Sequence, residues 1–344
     1  MNPTIYDVAR RASVSISTVS RVVNWPESVR KDKRERVLQV IAELGYEPNP
    51  FASGLRDRKT MTLAAFIPDI SNPFFSELLR GIEDVAHESH YNVMTCNTDR
   101  NPQRFVEYMR YFRKKKVDGM VFASDPVTAV HREQFEELGV PVVLVATMSQ
   151  TYPFPYVKVD DFQASYDAAT FLIRNGHREL GIISGPLSDP IAGLPRYEGF
   201  RRAIVDAGLV SNARNEVFAE DFRYESGQKQ MMRLYARAPD VTAVFAASDM
   251  LALGAIAFLQ QRGIRVPADL SVMGFDNLSI SHLVFPALTT VRQPIYEIGQ
   301  VATKLLMQSI DHAELSEQVA PVRNGHILEH EIVVRDTVAR VSSK

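Results

Sequence analysis

Apolar residues at the start of the chain recur at helical spacing and predict three short helices, over residues 4–11, 16–23 and 31–44. Thr4 and Asp7 stand three apart, as in a capping box, while Ser15 can cap the second helix and Gly45 can end the third. The apolar side between the first two helices is formed by Val8, Val14, Val19 and Val22. Two helices joined by a tight turn at residues 12–14 are typical of domains that read DNA.

The opposite side of the second helix is expected to carry short hydroxyls, an amide and one guanidinium, from Ser17, Thr18, Ser20, Arg21 and Asn24. Such groups suit phosphate oxygens and the edge of a guanine base. Residues 1–60 also hold 11 Lys and Arg against 7 Asp and Glu, although the whole chain has a formal net charge of −2. This local positive charge favours a phosphate partner over the alternative, an ordinary solvated polar face.

A proline-marked break at residues 47–50 precedes a segment that predicts a short helix over residues 50–56, with Asn49 as its cap. A helix this short is marginal in water, so we expect it to form when bound to DNA. Leu55 could then act as a wedge in the minor groove. The alternative is a plain linker in which Leu55 packs on the following domain.

From Met61 onward, short apolar runs alternate with helical segments, which predicts an α/β body with doubly wound parallel sheets. The runs LAAFI, NVMTC, GMVFA and PVVLV form one series of strands, and LGIIS, EVFA, AVFAA and LSVMGF form a second series after VKVDD. Two similar halves joined by short linkers predict two lobes with a ligand site in the cleft between them.

The composition narrows the class of protein. At 344 residues the chain exceeds one typical domain, and no apolar run approaches the roughly 20 residues of a membrane span. The first residues carry helix signals in place of an export leader, which predicts a cytoplasmic protein. The single cysteine, Cys96, is expected to be a buried strand thiol.

Catalytic and metal-binding patterns do not support an enzyme. His326 and His330 stand four apart on a predicted strand, which separates them by roughly 13 Å, so no metal site is expected there. The sequence contains no phosphate-binding glycine loop, hydrolase nucleophile motif or zinc-protease motif. We therefore expect neither catalysis nor a cofactor.

The runs TIYDVARRASVS, STVSRVVN and LGYEPNPFASGL resemble the lactose and galactose repressor family. The resemblance implies an all-α helix-turn-helix headpiece at residues 1–46, a hinge helix and linker at 47–60, and a body at 61–344 resembling periplasmic sugar-binding proteins. One lobe of the body would comprise residues 61–160 and 292–321, and the other residues 161–291 and 322–340. Such proteins act as homodimers on near-palindromic operator DNA.

The resemblance also implies DNA contacts. Ile16, Ser17 and Arg21 would face bases, and Ala52 with Leu55 would enter the minor groove. Phosphates would be held by Thr4, Ser15, Ser20 and Asn24, and Asn49 is a further expected DNA contact. Arg30 departs from the small hydroxyl that caps the third helix in many members, and we expect it to contact a phosphate instead.

Polar and aromatic residues follow the predicted strands at their carboxyl ends, where parallel sheets bind ligands. They are Asp69, Asn72, Phe74, Arg196, Phe222, Ser248, Asp276 and Gln293. In the resembling family, positions matching Arg196, Phe222 and Asp276 contact a small effector. An aromatic face can stack on a sugar or base ring, while charged groups bond hydroxyls or ring nitrogens. Phe74 could instead be a core residue, and Asp249 nearby is expected to be only a helix cap.

Three functions compete on this basis. The leading one is a transcription regulator, expected to be a repressor, whose carbohydrate or nucleoside effector binds between the lobes. The second is a regulator resembling catabolite control protein, whose partner is a seryl-phosphorylated carrier protein. In that branch an arginine stands where this chain has Lys304, and a lysine stands where it has Arg196. The third is a ligand-binding protein without a DNA function, which residues 4–56 oppose.

The effector itself stays open. Among resembling branches are the cytidine and purine repressors, but Asp189 and Ala146 both differ from the purine repressor branch. A purine base is therefore disfavoured, and a sugar is the first expectation.

Overall fold

The computed structural model describes residues 3–46, 59–315 and 325–341. The chain divides into two units, Met1–Thr60 and Met61–Lys344, which are described separately. The predictions for the hinge segment, including Asn49, Ala52 and Leu55, lie outside the described residues.

Three helices form the described part of the first unit, and their boundaries confirm the predicted pattern. They are α1 (Ile5–Ala12), α2 (Ile16–Asn24) and α3 (Lys31–Leu44), with a short 3₁₀ turn at Pro26–Ser28. Their shared core contains Val8, Ala12, Val19, Val22, Val37 and Val40, and Val14 packs against it while partly exposed. Gly45 ends α3 with a φ of 59°, a left-handed conformation that glycine adopts without a steric penalty.

Side-chain caps hold the ends of these helices. The Asp7 carboxylate accepts hydrogen bonds from the backbone N–H and the hydroxyl of Thr4, at 3.0 and 2.6 Å, which confirms the capping box. Ser15 Oγ accepts the N–H of Thr18 at 3.3 Å. Arg30 precedes α3 but makes no side-chain capping bond, so its exposed guanidinium is not used as a cap.

The second unit is built from eight helices and twelve strands among its described residues. The helices are α4 (Pro73–Glu88), α5 (Pro102–Lys115), α6 (Ala129–Leu138), α7 (Asp161–Arg174), α8 (Gly193–Asp206), α9 (Tyr224–Arg237), α10 (Asp249–Gln261) and α11 (Ile295–Leu315). The strands are β1 (Thr62–Ile67), β2 (Asn92–Asn97), β3 (Gly119–Ala123), β4 (Val142–Val145), β5 (Tyr156–Val159), β6 (Leu180–Ser184), β7 (Glu216–Phe218), β8 (Ala243–Ala246), β9 (Ser271–Asp276), β10 (Thr289–Arg292), β11 (Gly325–Leu328) and β12 (Glu331–Val333).

These strands form two six-stranded sheets, one in each lobe. The sheet of lobe 1 has the order β11-β5-β4-β3-β1-β2 with parallel pairs throughout. The sheet of lobe 2 has the order β12-β10-β9-β8-β6-β7, and only its edge pair, β10 with β12, is antiparallel within the described residues. The predicted doubly wound parallel architecture is confirmed.

Each sheet is covered by helices on both faces, so its central strands are buried and mostly apolar, whereas the edge strands β2, β11 and β12 are partly exposed. In β1, Leu63 enters the core under α4 and α11, while the next residue, Ala64, enters the core under α5 and α6. In lobe 2, α9 and α10 cover one face of the sheet, and α7 and α8 cover the other. Cys96 lies in the first of these sheets, where burial raises the pKa of its thiol to about 12.

The chain crosses between the lobes three times, and one crossing corrects the sequence prediction. The first two lie after Val159 and between β10 and α11, close to the predicted positions. The third was expected near residue 322, but β11 still pairs with β5 in lobe 1, so the crossing falls between Leu328 and Glu331. β11 pairs in parallel with the edge of the sheet next to β5. The local sequence cannot show which sheet edge is free to accept a strand. Lobe 1 is therefore residues 61–159, 295–315 and 325–328, and lobe 2 is residues 161–292 and 331–341.

The third crossing also separates the two histidines. His326 lies on β11, whereas His330 follows the strand, and its Nε2 is 2.9 Å from Asp167 Oδ2 on α7. The prediction that one strand carries both was therefore wrong. Among the described segments, no helix combines the length and apolar character that crossing a membrane requires.

Helices α4 and α11 approach each other so closely that both carry glycine at the contact. A Cβ added to Gly81 would lie 2.1 Å from the carbonyl oxygen of Tyr296, and one added to Gly299 would lie 2.4 Å from the carbonyl oxygen of Leu78. The backbones leave no room for a methyl group on either side.

We expect Gly81→Ala to lower the free energy of unfolding by about 1–3 kcal/mol, since the clash is with rigid backbone and overpacking forces the helices apart. Ser76→Ala, at an exposed position of the same helix, is the control and should change stability by less than about 0.5 kcal/mol. Urea unfolding of both variants measures the difference. Equal stabilities would contradict the close packing of α4 on α11.

Candidate functional site

The first candidate surface is the exposed side of α2. Ser17 and Arg21 are exposed there, and Ile16 is 40% exposed although it is apolar. The opposite side of the helix enters the core through Val19 and Val22, which fixes the outward direction of the other residues. Ser15 is already engaged with the N–H of Thr18, and its hydroxyl also lies 2.8 Å from that of Ser17.

The remaining predicted DNA contacts of the described headpiece differ in exposure. Thr4 and Arg30 are exposed, Ser20 is half-buried, and Asn24 is the last residue of α2. The result is a polar and cationic surface with one exposed aliphatic side chain, which can meet phosphates and base edges. Ala52 and Leu55 lie outside the described residues.

The second candidate site is a cavity of about 320 Å³ between the two lobes. All eight residues predicted to bind an effector line it: Asp69, Asn72, Phe74, Arg196, Phe222, Ser248, Asp276 and Gln293. They come from both lobes because each follows or ends a parallel strand, and the carboxyl ends of both sheets border the cleft. Phe74 lines the cavity and also belongs to the core of lobe 1.

Arg196 is the central group of the cavity floor. Its guanidinium is buried, donates from Nε to Asp161 Oδ1 at 2.8 Å and from Nη1 to the carbonyl oxygen of Ala247 at 2.7 Å. Nη1 also lies 3.8 Å from Asp276 Oδ1, and the guanidinium carbon lies 3.8 Å from the centre of the Phe275 ring. These partners lock the side chain in one orientation, with its charge held beside two carboxylates.

Asp276 ends β9 and closes this charge cluster. Gln293 Nε2 donates to its Oδ1 at 2.7 Å, so two of the predicted residues contact each other directly. Burial raises the pKa of Asp276 to about 6, with Arg196 opposing the rise. Its φ of 119° is a backbone conformation that non-glycine residues rarely adopt, and such strain clusters at ligand sites.

Sequence reasoning missed two buried members of the floor. Asp161 begins α7 directly after the first crossing, and its Oδ2 lies 2.8 Å from the ammonium nitrogen of Lys158 on β5. Both line the cavity together with Asp99, Arg100, Glu220, Asp221 and Arg223. Its position at the carboxyl end of a strand could have identified Asp161, but the sequence predicts only a lobe boundary there.

The expectation for Asp249 was wrong. Ser248 caps α10, accepting the N–H of Leu251 at 3.1 Å, while Asp249 is fully buried behind the cavity. Its carboxylate accepts the hydroxyl of Thr290 at 2.5 Å and the N–H of Leu278 at 2.7 Å. Burial, and the nearby charge of Asp276, raise the pKa of Asp249 well above its usual range. The residue therefore ties the start of α10 to β10 and to the turn that follows β9.

Comparison with known proteins accounts for both units. The model of bacterial regulatory proteins of the lacI family matches residues 4–49, and the model of periplasmic binding proteins and the sugar-binding domain of the LacI family matches residues 60–326. Catabolite control protein A of Priestia megaterium is 42% identical over 320 residues, covering 93% of this chain and 96% of that protein. The repressor CytR of Escherichia coli is 33% identical, covering 96% and 95%.

Two solved structures match nearly the full length of this chain. The transcriptional regulator CelR in complex with cellobiose is 31% identical and superimposes with a TM-score of 0.73, covering 97% of this chain and 99% of that one. The lac repressor dimer bound to operator and an anti-inducer is 25% identical, with a TM-score of 0.86 and coverage of 98% and 100%. The fold and sites define a DNA-binding transcriptional regulator with a sugar-binding type of effector domain. The chain belongs to the LacI family of bacterial regulatory proteins.

The raised pKa of Asp276 predicts a pH-dependent stability. The protonated carboxyl contributes stability that is complete below the unfolded value of about 3.9 and is lost as pH rises through about 6. We expect Asp276→Asn, which keeps the acceptor for Gln293, to be more stable than wild type at neutral pH by up to about 3 kcal/mol. The difference should shrink as pH falls toward about 4. Urea unfolding of both proteins across this pH range measures the difference in their free energies of unfolding. A difference that does not change with pH would contradict a raised pKa of Asp276.

Proposed function

We propose that this protein is a cytoplasmic, homodimeric repressor, not an enzyme, whose affinity for a near-palindromic operator is controlled by a neutral, hydroxyl-rich small molecule bound between the lobes. The main support for this proposal is the cavity floor, where four buried polar residues lie beside the ring of Phe222. These residues are Arg196, Asp161, Asp276 and Gln293. Such a floor offers both donors and acceptors to hydroxyl groups and an aromatic face to a ring.

The charges around the cavity support a neutral ligand over an anionic one. Seven carboxylates line it, from Asp69, Asp99, Asp161, Asp189, Glu220, Asp221 and Asp276, whereas the cations are Arg100, Lys158, Arg196 and Arg223. The two most buried cations already pair with Asp161. A phosphate group would meet an excess of negative charge, so a carbohydrate or a nucleoside fits better than a sugar phosphate.

The ligand residues act in distinct ways in this proposal. Asp276 and Arg196 bond hydroxyls, Phe222 stacks on the ring, and Asn72 and Phe74 contact the ligand from lobe 1. Ser248 already accepts the N–H of Leu251, so it has less capacity left for a ligand. One oxygen of Asp189 accepts the N–H groups of Ile191 and Ala192, at 2.9 and 3.2 Å. Because Asp189 is an acid, it cannot provide the positive charge that an arginine would present to a purine.

The DNA side of the proposal uses the α2 surface. Ile16, Ser17 and Arg21 would contact bases, while Thr4, Ser15, Ser20, Asn24 and Arg30 would contact phosphates, with Asn49, Ala52 and Leu55 in the hinge segment. The orientation of α2 supports these assignments, because its buried valines face the headpiece core and its polar residues therefore face outward.

A second candidate is a regulator whose corepressor is a seryl-phosphorylated carrier protein. The 42% identity to a catabolite control protein favours it, and Lys304 is exposed on α11 for such a contact. A lysine provides a point charge without the bidentate geometry of arginine, which makes the interaction weaker. A phosphorylated carrier protein that raises operator affinity without any sugar would support this candidate over the first.

The DNA prediction concerns Arg21. Operator sequences are first selected from random duplex DNA with the full-length protein. Arg21→Ala should then reduce affinity for the selected operator by about 1–3 kcal/mol and relax the preference at one base pair. Arg36→Ala, at an exposed position of α3, is the control and should leave that preference intact. An equal loss of Arg21→Ala on selected and random DNA would show that Arg21 contacts phosphates only.

The effector prediction is tested by thermal shift with cellobiose, ribose, cytidine and glucose 6-phosphate, followed by operator titration with any stabilising compound. A ligand at 100 times its Kd should stabilise the body by roughly 2.7 kcal/mol. Asp276→Ala should abolish the response while ligand-free operator affinity stays within about twofold, because a ligand acts only through differential binding of two states. Retention of the response in this variant would contradict the role of Asp276.

A further inference from the structure

An ion pair between residues that line the cavity joins the two lobes. Asp69 follows β1 in lobe 1, and Arg223 directly precedes α9 in lobe 2. The Nη2 and Nε atoms of Arg223 lie 2.7 and 3.2 Å from the same carboxylate oxygen of Asp69. Both residues line the cavity, so the contact lies across its border.

Both partners are held in place by their own loops. The second oxygen of Asp69 accepts the N–H and the hydroxyl of Ser71, at 3.0 and 2.6 Å. On the other lobe, the N–H of Arg223 donates to Asp221 at 3.0 Å, and Asp221 also accepts the hydroxyl of Ser226 at 2.6 Å. The two loops therefore present the ion pair without further ordering, and breaking it leaves each loop intact.

The groups on the cavity floor are almost fully buried in this arrangement of the lobes. Arg196 and Asp276 are each 6% exposed, and Gln293 is 4% exposed. A molecule that reaches them has to pass between the lobes, which are connected by three short crossings that can act as a hinge. Separation of the lobes at the border of the cavity requires the Asp69–Arg223 pair to break.

We propose that Asp69 and Arg223 form a latch that favours the closed arrangement of the lobes and slows the entry and exit of the effector. This role rests on the proposed function for its effector, but the opening itself is a property of the ligand-free protein. It also reassigns Asp69, predicted above as a ligand contact, because both of its oxygens are engaged by Arg223 and Ser71. The Arg223 side chain is 61% exposed, so the pair is weak enough to open reversibly.

The test measures lobe separation by pulsed electron paramagnetic resonance, without ligand. Spin labels are attached to cysteines introduced at Glu107 on α5 and Arg233 on α9, both exposed and one in each lobe. Cys96 is buried and does not compete for the label. An excess of unlabelled chain ensures that each measured pair of labels lies within one protomer.

The decisive variant is Arg223→Gln, which removes the charge but keeps the backbone N–H that binds Asp221. We expect the ratio of open to closed populations to rise about two- to fivefold, the range for an exposed ion pair, with a smaller change in Arg223→Lys. Arg265→Gln is the matched control, since it removes an exposed pair with Asp269 at 2.7 Å within lobe 2. It should leave the distance distribution unchanged.

Salt provides an independent readout of the same contact. Raising salt from about 0.1 M to about 1 M shortens the screening length from roughly 10 Å to roughly 3 Å, so it should shift the wild type toward the open form and barely affect Arg223→Gln. Identical distributions for wild type, Arg223→Gln and Arg265→Gln would overturn the latch. A negative ligand screen would leave the latch result unaffected, so the two proposals fail separately.

Discussion

The buried guanidinium of Arg196 is the interaction on which the cleft depends. It joins α8 to Asp161 at the start of α7, to the end of β8 through Ala247, and to Asp276 at the end of β9. Taking these charges out of water is costly, and the attraction between Arg196 and the two carboxylates offsets part of that cost. Loss of the cation would leave Asp161 with Lys158 as its partner and Asp276 with the hydrogen bond from Gln293. The same cluster therefore holds lobe 2 together and prepares its surface for a polar ligand.

Strain and desolvation accumulate at the carboxyl end of β9. Asp276 has a left-handed backbone and a raised pKa, and Asp249 lies behind it with its own pKa raised further by the charge of Asp276. Thr290 and Leu278 satisfy the Asp249 carboxylate, so the strained turn is held from behind by hydrogen bonds. Placing unfavourable features beside a ligand cavity is typical of functional sites, because the surrounding fold determines a conformation that local preference would reject.

The two units of the chain form their candidate binding surfaces in different ways. The headpiece buries a small valine core and presents one polar helix side, so its recognition surface follows from helix periodicity alone. The body brings groups from distant segments to a cleft, where burial strengthens each polar contact and makes an unmatched group expensive. A buried polar cleft of this kind can discriminate strongly between ligands, whereas a helix that reads DNA combines general phosphate attraction with a few base contacts.

Local sequence determined the three headpiece helices, the order of strands and helices in the body, and the eight polar or aromatic residues at strand ends, because periodicity, caps and strand termini are encoded within a few residues. Only the tertiary structure decided that β11 joins lobe 1, that Asp249 is buried instead of capping α10, and that Lys158 and Asp161 belong to the cavity floor. Each of these depends on a partner distant in the sequence or on which sheet edge is free. Periodicity identifies which side of a strand is apolar. Which strand or side chain lies next to it, and therefore which charges are close together, depends on how the whole body packs.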